Sequence, residues 1–485
     1  MNKYLIAVLA TASAAVVANA DNDWLHIYDK SETPEVIFTT PVNSMGEINY
    51  GGTDGDTFST IEITSADGDI TSLPLEDIGR LQVGTNVPTV YINTDTGQIP
   101  WSKSEWWRGT LGMEGYGVFP DIEADSINIR LRGNSTMSFS KKPFRVKFDK
   151  KRSFLGLKKA KNFALLANYI DNTLMRNAMA MKLGELLGTP YVNHMVPVNI
   201  VFNGEYYGSF TVTEKLGINS GSIDDIDETK GILWELGADD EDYYYKPSSY
   251  PSLPVAVKDP DFDELAEADP AFDAAEWFDM WQKDADVMFK SISDGAQWQA
   301  ESHWDEYVDV ESVVNYMLVF DICCNRELRH PKSVFVHKQA IGEKYVFGPI
   351  WDFDWCFSFD ESNVVSPRQY LFFNRYEGGQ YGGAGFFHAL CLNKKFQQRF
   401  NERWTEFYTM LYPRWLEYFD EYAAKIEVSA YQNGQRWTAD ENSKQAGSSA
   451  DFHKNAAEMR QWIIDRVEFI HSDPQRGLFE NEEVF

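Results

Sequence analysis

Cysteine is scarce in this sequence: four residues in 485, namely Cys323, Cys324, Cys356 and Cys391. Two are adjacent and none stands at metal-ligand spacing, so neither a disulfide framework nor a thiolate zinc site is expected. Buried thiols are the plainer reading, with a single bridge left open for a chain outside the cytoplasm. The eight histidines are scattered and give a zinc site little support. No Walker P-loop, Rossmann glycine fingerprint, G-x-S-x-G elbow or H-E-x-x-H pair occurs, which removes the sequence signatures of P-loop NTPases, dinucleotide enzymes, α/β-hydrolases and zincins. Basic residues are outnumbered: 44 Lys and Arg face 74 Asp and Glu, a formal net charge of −30. A surface of that sign repels nucleic acid and anionic membranes, so no nucleic-acid partner is expected. After the first twenty residues no apolar run is long enough for a membrane span.

Apolar residues are plentiful, at 43% with 15% aromatic. That is ample for large cores and excludes a disordered chain. The length suggests two or three domains. Residues 1–20 read as a signal peptide. Lys3 gives a positive start, Tyr4 to Val17 is apolar, and Ala18-Asn19-Ala20 is a small-x-small cleavage pattern. Removing it takes away Lys3 and leaves Asp21 first, with a net charge of −31. The expected location is therefore secreted: periplasm, cell surface or extracellular. No cysteine near the cut supports a lipid anchor. A buried N-terminal strand is the competing reading.

Residues 21–88 read as a small β-rich module, with short apolar stretches such as Val36-Ile37-Phe38 and Ile61-Glu62-Ile63 between Gly/Asp/Thr-rich turns. From 89 to about 215 the pattern is mostly β. Strands are expected at Ser126–Arg132 and Phe144–Phe148. One helix is expected at about Thr173–Leu187, capped by Asp171-Asn172 and closed at Gly188. A hairpin follows, Val198–Phe202 and Tyr206–Thr213 about the Asn203-Gly204 turn. Residues 216–310 are acidic and read as largely helical, with a Pro/Tyr-rich loop near 243–254. Then come a helix at Val313–Cys324 and strands at Val334–His337 and Lys344–Ile350. The segment after about 385 is helical and aromatic-rich, and the spacing of Trp404, Tyr408, Trp415 and Tyr418 marks core.

Three constellations carry chemistry. Between Lys141 and Lys161 stand ten cationic residues against Asp149 alone, a local charge of +9 suited to phosphate-bearing ligands, or else a solvated hairpin face. Just before it, Arg132-Gly133-Asn134-Ser135-Thr136 is a polar turn able to offer N–H groups and hydroxyls to an anion. In the second, Trp351-Asp352-Phe353-Asp354-Trp355, a continuing strand would place Asp352 and Asp354 on one face, suited to Mg²⁺. Hydrogen-bonded acids at a strand end are the other reading. The third is Asp321 to Ser333, where Glu327 is a candidate proton acceptor and Asn325 and Ser333 candidate supports for metal or substrate. A polar loop with a capped helix end explains it as well. Asp171, Arg176, Asn177 and Glu214 read as capping or ion-paired residues at element ends.

In order, IRLRGNST (129–136), KKPFRVKFDKK (141–151), KNFALLANYIDNTLMRNAMA (161–180), VNIVFNGEYYGSFTVTEK (198–215), NRELRHPKSVFVHK (325–338) and GPIWDFDWCFSFD (348–360) resemble the CotH kinase family of secreted bacterial proteins. The resemblance spans roughly residues 88 to 430. It implies an α+β, atypical protein-kinase-like two-lobed fold, with a β-rich N-lobe and a helical C-lobe, preceded by the small β module. The expected kinase-like domain is 89–430, and 431–485 would be a C-terminal helical extension packed on the C-lobe. ATP and Mg²⁺ would lie between the lobes, and phosphate would pass to Ser or Thr of an unknown protein substrate. By the same resemblance Asp352 is the metal-binding aspartate, assisted by Asp354. Arg132, Asn134, Ser135, Lys142 and Arg145 would contact ATP phosphates, and Arg176 and Glu214 would shape the nucleotide cleft.

This sequence departs from the family's N-x-D setting of the catalytic aspartate, which here is Asn325-Arg326-Glu327. Glu327 then takes the catalytic position 25 residues before Asp352, with Asp321 a poorer fit to the spacing. A metal-helping Asn of the family is Ser333. Three functions stay open: an active secreted kinase, a pseudokinase-type protein that holds nucleotide or protein without transfer, and an extracellular carbohydrate-binding or carbohydrate-active protein.

Overall fold

The computed structural model describes residues 23–30, 36–41, 45–54, 57–85, 87–239, 241–298, 302–357, 359–360, 363–369, 382–437 and 451–472. The expected signal segment, 1–20, lies outside the described residues. The fold is mixed α+β. Six strands come first: β1 (Asp23–Asp29), β2 (Val36–Pro41), β3 (Met45–Asp54), β4 (Thr57–Ser65), β5 (Ile70–Pro74) and β6 (Ile78–Thr85). They form two antiparallel sheets, β2-β1-β6 and β3-β4-β5, over a small core of Leu25, Ile27, Ile61, Ile63 and Ile78.

Seven strands then close a barrel: β7 (Thr89–Thr94), β8 (Trp107–Glu114), β9 (Ile122–Leu131), β10 (Phe144–Arg152), β11 (Ala160–Leu166), β12 (Val196–Phe202) and β13 (Glu205–Glu214), in the order β10-β11-β13-β12-β7-β8-β9. Alternation explains its filling, since Ile127, Ile129 and Leu131 of β9 and Phe144, Val146 and Phe148 of β10 all point inward and are buried. The β12–β13 turn is Asn203-Gly204, with φ +50° and +84°, the left-handed pair that matches hairpin twist.

Helix α1 (Arg176–Leu186) interrupts the barrel strands and is buried over most of its length. It starts three residues later than the sequence suggests. The Asp171 carboxylate accepts the N–H groups of Thr173 (2.9 Å) and Arg176 (2.8 Å), and so closes a non-helical turn ahead of the helix.

Beyond the barrel, the acidic stretch 216–310 is less helical than its composition suggests. It holds β14 (Ile232–Leu236), β15 (Tyr244–Tyr245) and β16 (Val255–Asp259), which join β17 (Val334–Lys338) and β18 (Val346–Phe347) in a five-stranded sheet, β15-β16-β14-β17-β18. With that sheet go α2 (Phe262–Ala268), α3 (Ala274–Trp298), α4 (Val310–Ile322), α5 (Gly382–Leu390) and α6 (Lys394–Glu406), while α7 (Tyr412–Arg436) packs on β13 and α1, and α8 (Phe452–Ser472) on α7 and α4. Trp404 and Trp415 are buried in this largest core, with Tyr408 and Tyr418 against it. The four cysteines are buried free thiols, and burial raises the pKa of Cys323, Cys356 and Cys391.

Candidate nucleotide-binding cleft

A cleft of about 580 Å³ separates the open end of the barrel from the five-stranded sheet. From the barrel side it is lined by Arg130 and Arg132 at the end of β9, Arg145 on β10, and Lys215 just after β13. From the sheet side come Glu235 on β14, Lys258 on β16, and Glu327, Lys332 and Ser333 ahead of β17. Asp352 and Asp354 close the floor, with Trp351 and Trp355 beside them.

The tandem acids meet by a route the sequence pattern misses. The strand ahead of the motif, β18, ends at Phe347, so period-two alternation does not operate at 352–354. Asp352 instead takes a left-handed backbone, φ +64°, which Asp tolerates better than most residues. Asn177 of α1 holds the loop from behind with both ends of its amide. Its Oδ1 accepts the Phe353 N–H at 2.8 Å, and its Nδ2 donates to Asp354 Oδ1 at 2.6 Å. Asn177 carried only a capping role in the sequence reading; nothing local marks a contact made across 177 residues.

Asp352 is open to the cleft yet closely surrounded by protein. Burial raises its pKa, against the opposing pull of Arg132 and a hydrogen bond from Ser333. Burial and the neighbouring Asp352 raise Asp354 likewise. The cations show the complementary effect. Burial lowers Arg132, opposed by both aspartates, and it lowers Arg145 to about 10 with help from Arg130 and Arg132. Lys215 is lowered by burial, opposed by Asp259. Positive and negative groups thus share one cleft, where a ligand carrying both a polyanion and a divalent cation would relieve both sets.

The 132–136 turn is built for close approach. Gly133 has φ +83°, and a Cβ there would sit 2.2 Å from Thr136 Oγ1. Asn134 and Ser135 both line the cleft, and Asn134 Oδ1 accepts from Lys103 at 3.1 Å. Among the described residues no group of three or more His, Cys, Asp or Glu side chains could hold a metal by itself. Two carboxylates in a cationic cleft still fit Mg²⁺, which takes its remaining ligands from phosphate and water.

Of the other expected site residues, Lys142 does not line the cleft, because its Nζ donates to Met137 O at 2.7 Å and braces the turn from outside. Arg176 lies behind the floor rather than in it, beside Asp171 at 3.6 Å and donating to the Asp354 carbonyl at 3.2 Å. Glu214 pairs with His194, while Lys215, its neighbour, faces the cleft. Asn325 is fully buried and caps the 3₁₀ turn Arg326–Arg329, accepting the Glu327 N–H at 2.9 Å, so it does not reach a metal or substrate. Asp321 is buried against Arg466, away from the cleft. Glu327 and Ser333 both line the cleft, and Ser333 N–H donates to Glu235 at 3.3 Å. Most of the basic island turns elsewhere: Lys141 is buried against Ser209 and Asn433, Arg152 pairs with Asp125, and Lys158 with Asp224.

No curated protein matches the chain at a significant level. A family model described as CotH kinase protein matches residues 129–470, more than half of the chain. Because that match runs from the end of β9 through the 132–136 turn, the five-stranded sheet, the aspartate loop and the helices as far as α8, the chain belongs to the CotH kinase protein family.

Proposed function

We propose that this protein is a secreted, CotH-like kinase that transfers the terminal phosphate of ATP·Mg²⁺ to a Ser or Thr hydroxyl of a protein. The barrel would act as the β-rich N-lobe, and the five-stranded sheet with its helices as the C-lobe. The leader at 1–20 and the 21–88 module would precede this unit, and 431–485 would extend it. The observation that carries the reading is the convergence of Arg132, Arg145 and Lys215 with Asp352 and Asp354 on one cleft. In it, Arg132, Arg145 and the N–H groups of the 132–136 turn hold the polyphosphate, and Asp352 and Asp354 hold the divalent cation. Bound Mg²⁺ supplies charge neutralisation at the phosphate oxygens. Glu327 accepts the proton of the acceptor hydroxyl.

Calorimetric titration of the protein with ATP and Mg²⁺ tests this, and absence of binding removes it. Because both aspartates have raised pKa values, acidification protonates them and weakens Mg²⁺-dependent binding. Affinity is expected to fall by about tenfold from pH 8 to pH 6, the change for the one proton that Asp354, raised to about 7, must lose on binding.

A second reading, a nucleotide-holding protein without transfer, is favoured by Glu327 alone. Its extra methylene can displace the base by about 1 Å, which costs on the order of a hundredfold in rate. Glu327→Asp is expected to raise radiolabel transfer to Ser-rich peptides by at least about tenfold. An unchanged or lower rate would show that side-chain length is not what limits transfer.

A further inference from the structure

We infer that Trp106 is a positioning residue for phosphate binding, its indole face holding the guanidinium groups of Arg130 and Arg145 in place before a ligand arrives; this rests on reading the cleft as an ATP·Mg²⁺ site. Strand pairing accounts for the placement. Trp107 opens β8, pairs with Ile129 of β9 and packs against the barrel core. Trp106, one residue earlier, turns to the outer face of the barrel wall. That face carries Arg130 of β9 and, directly across from it, Arg145 of β10, and both line the cleft. The Trp106 ring centroid is 4.4 Å from the Arg130 guanidinium carbon, 5.5 Å from that of Arg145 and 6.0 Å from Lys147 Nζ.

Arg130 and Arg145 are like charges at facing positions of neighbouring strands, an arrangement that is destabilising by itself. Arg132 has Asp352 and Asp354 to face. Neither Arg130 nor Arg145 makes an ion pair with a carboxylate among the described residues. Arg145 donates instead from Nε and Nη2 to the neutral Asn162 Oδ1, at 3.3 and 3.1 Å. The negative face of the indole supplies attraction for both cations without adding a charge that would repel phosphate. Stacking occupies the flat face of a guanidinium and leaves N–H groups on its edge for phosphate oxygens. A side chain that is already fixed also loses less rotamer freedom on binding. A carboxylate in the same place would hold the arginines but cancel the charge the polyphosphate needs.

Calorimetric titration of the full chain with three probes tests this: ATP and tripolyphosphate, both with Mg²⁺, and adenosine. Trp106→Leu keeps apolar bulk and removes the aromatic face. It is expected to weaken ATP and tripolyphosphate alike, by about tenfold, and to leave adenosine unchanged. Trp106→Phe, which keeps a ring, should return both to within about threefold of the wild type. Unchanged tripolyphosphate affinity in Trp106→Leu overturns the inference. So does a loss shared by adenosine or not relieved by Phe, which would make the role of Trp106 merely structural. A loss confined to ATP and adenosine overturns it too, because the ring would then lie against the base. Tripolyphosphate binding that weakens in Trp106→Leu, in a protein that does not bind ATP·Mg²⁺, would keep the arginine platform and sink the nucleotide reading.

Discussion

Asp352→Asn is expected to raise the Kd for ATP·Mg²⁺ at least about a hundredfold while leaving the fold intact, the loss of roughly 2.7 kcal/mol. The substitution is nearly isosteric. Asn also tolerates the left-handed backbone at φ +64°, so the loop has no reason to rearrange. What disappears is one negative charge. Arg132 loses a counter-charge, and Asp354 loses one of the neighbours that raises its pKa, so Asp354 ionises more readily. A single carboxylate then remains for the divalent cation, in a cleft that is one unit more positive. The sign of the effect therefore depends on the metal. With Mg²⁺ present affinity drops, whereas with EDTA the variant should bind free ATP as well as the wild type or better. A merely structural role for Asp352 would weaken both, and unaltered ATP·Mg²⁺ binding would remove the aspartate from the metal site.

Much of this arrangement was legible in the sequence wherever the signal is local. Alternating Ile127, Ile129 and Leu131 name a strand, and Asn203-Gly204 names a hairpin turn, because side-chain period and left-handed φ are properties of a few consecutive residues. The strands of 216–310 were not legible. Ile232–Leu236 and Val255–Asp259 are five residues each, set in acid-rich chain, and are held by pairing with each other and with Val334–Lys338. The basic island misled in part for a related reason. Charge density along a sequence says nothing about which residues face a cleft, and of its ten cations only Arg145 lines this one. Lys215 and Lys258, which complete the cationic set, are isolated in sequence and gather only through the folding of β13 and β16. The aspartate pair was found for a reason that proved incorrect: a left-handed residue and the amide of Asn177, rather than strand alternation, bring it together.

Arg466→Ala is expected to lower stability by about 3–5 kcal/mol, the usual result of leaving one partner of a buried ion pair alone. Arg466 on α8 is 1% exposed and Asp321 on α4 is 2% exposed. The guanidinium donates to the Asp321 carboxylate, to its carbonyl at 2.9 and 3.2 Å, and to the carbonyls of Pro367 and Gln369. Truncation therefore removes a donor from the Pro367 and Gln369 carbonyls, leaves the Asp321 carbonyl with the Cys324 N–H at 2.9 Å, and strands a carboxylate whose pKa burial already raises to about 7. Without the arginine that opposes the shift, Asp321 would remain protonated to higher pH. Because this is a carboxyl raised above its unfolded value, the variant should be most stable in acid and lose stability as pH rises through the folded pKa. Thermal midpoints at pH 5 and pH 8 measure this. The drop relative to wild type should be on the order of 10 °C at pH 8 and smaller at pH 5. Replacing both partners, in Asp321→Leu/Arg466→Met, should recover much of the loss, since a buried pair exchanged for apolar side chains is often near neutral. Asp321 lies six residues before Glu327, so the single variant should also loosen the candidate base and reduce transfer more than nucleotide affinity. A pH-independent drop of less than about 1 kcal/mol would show that the pair is solvated rather than buried in solution.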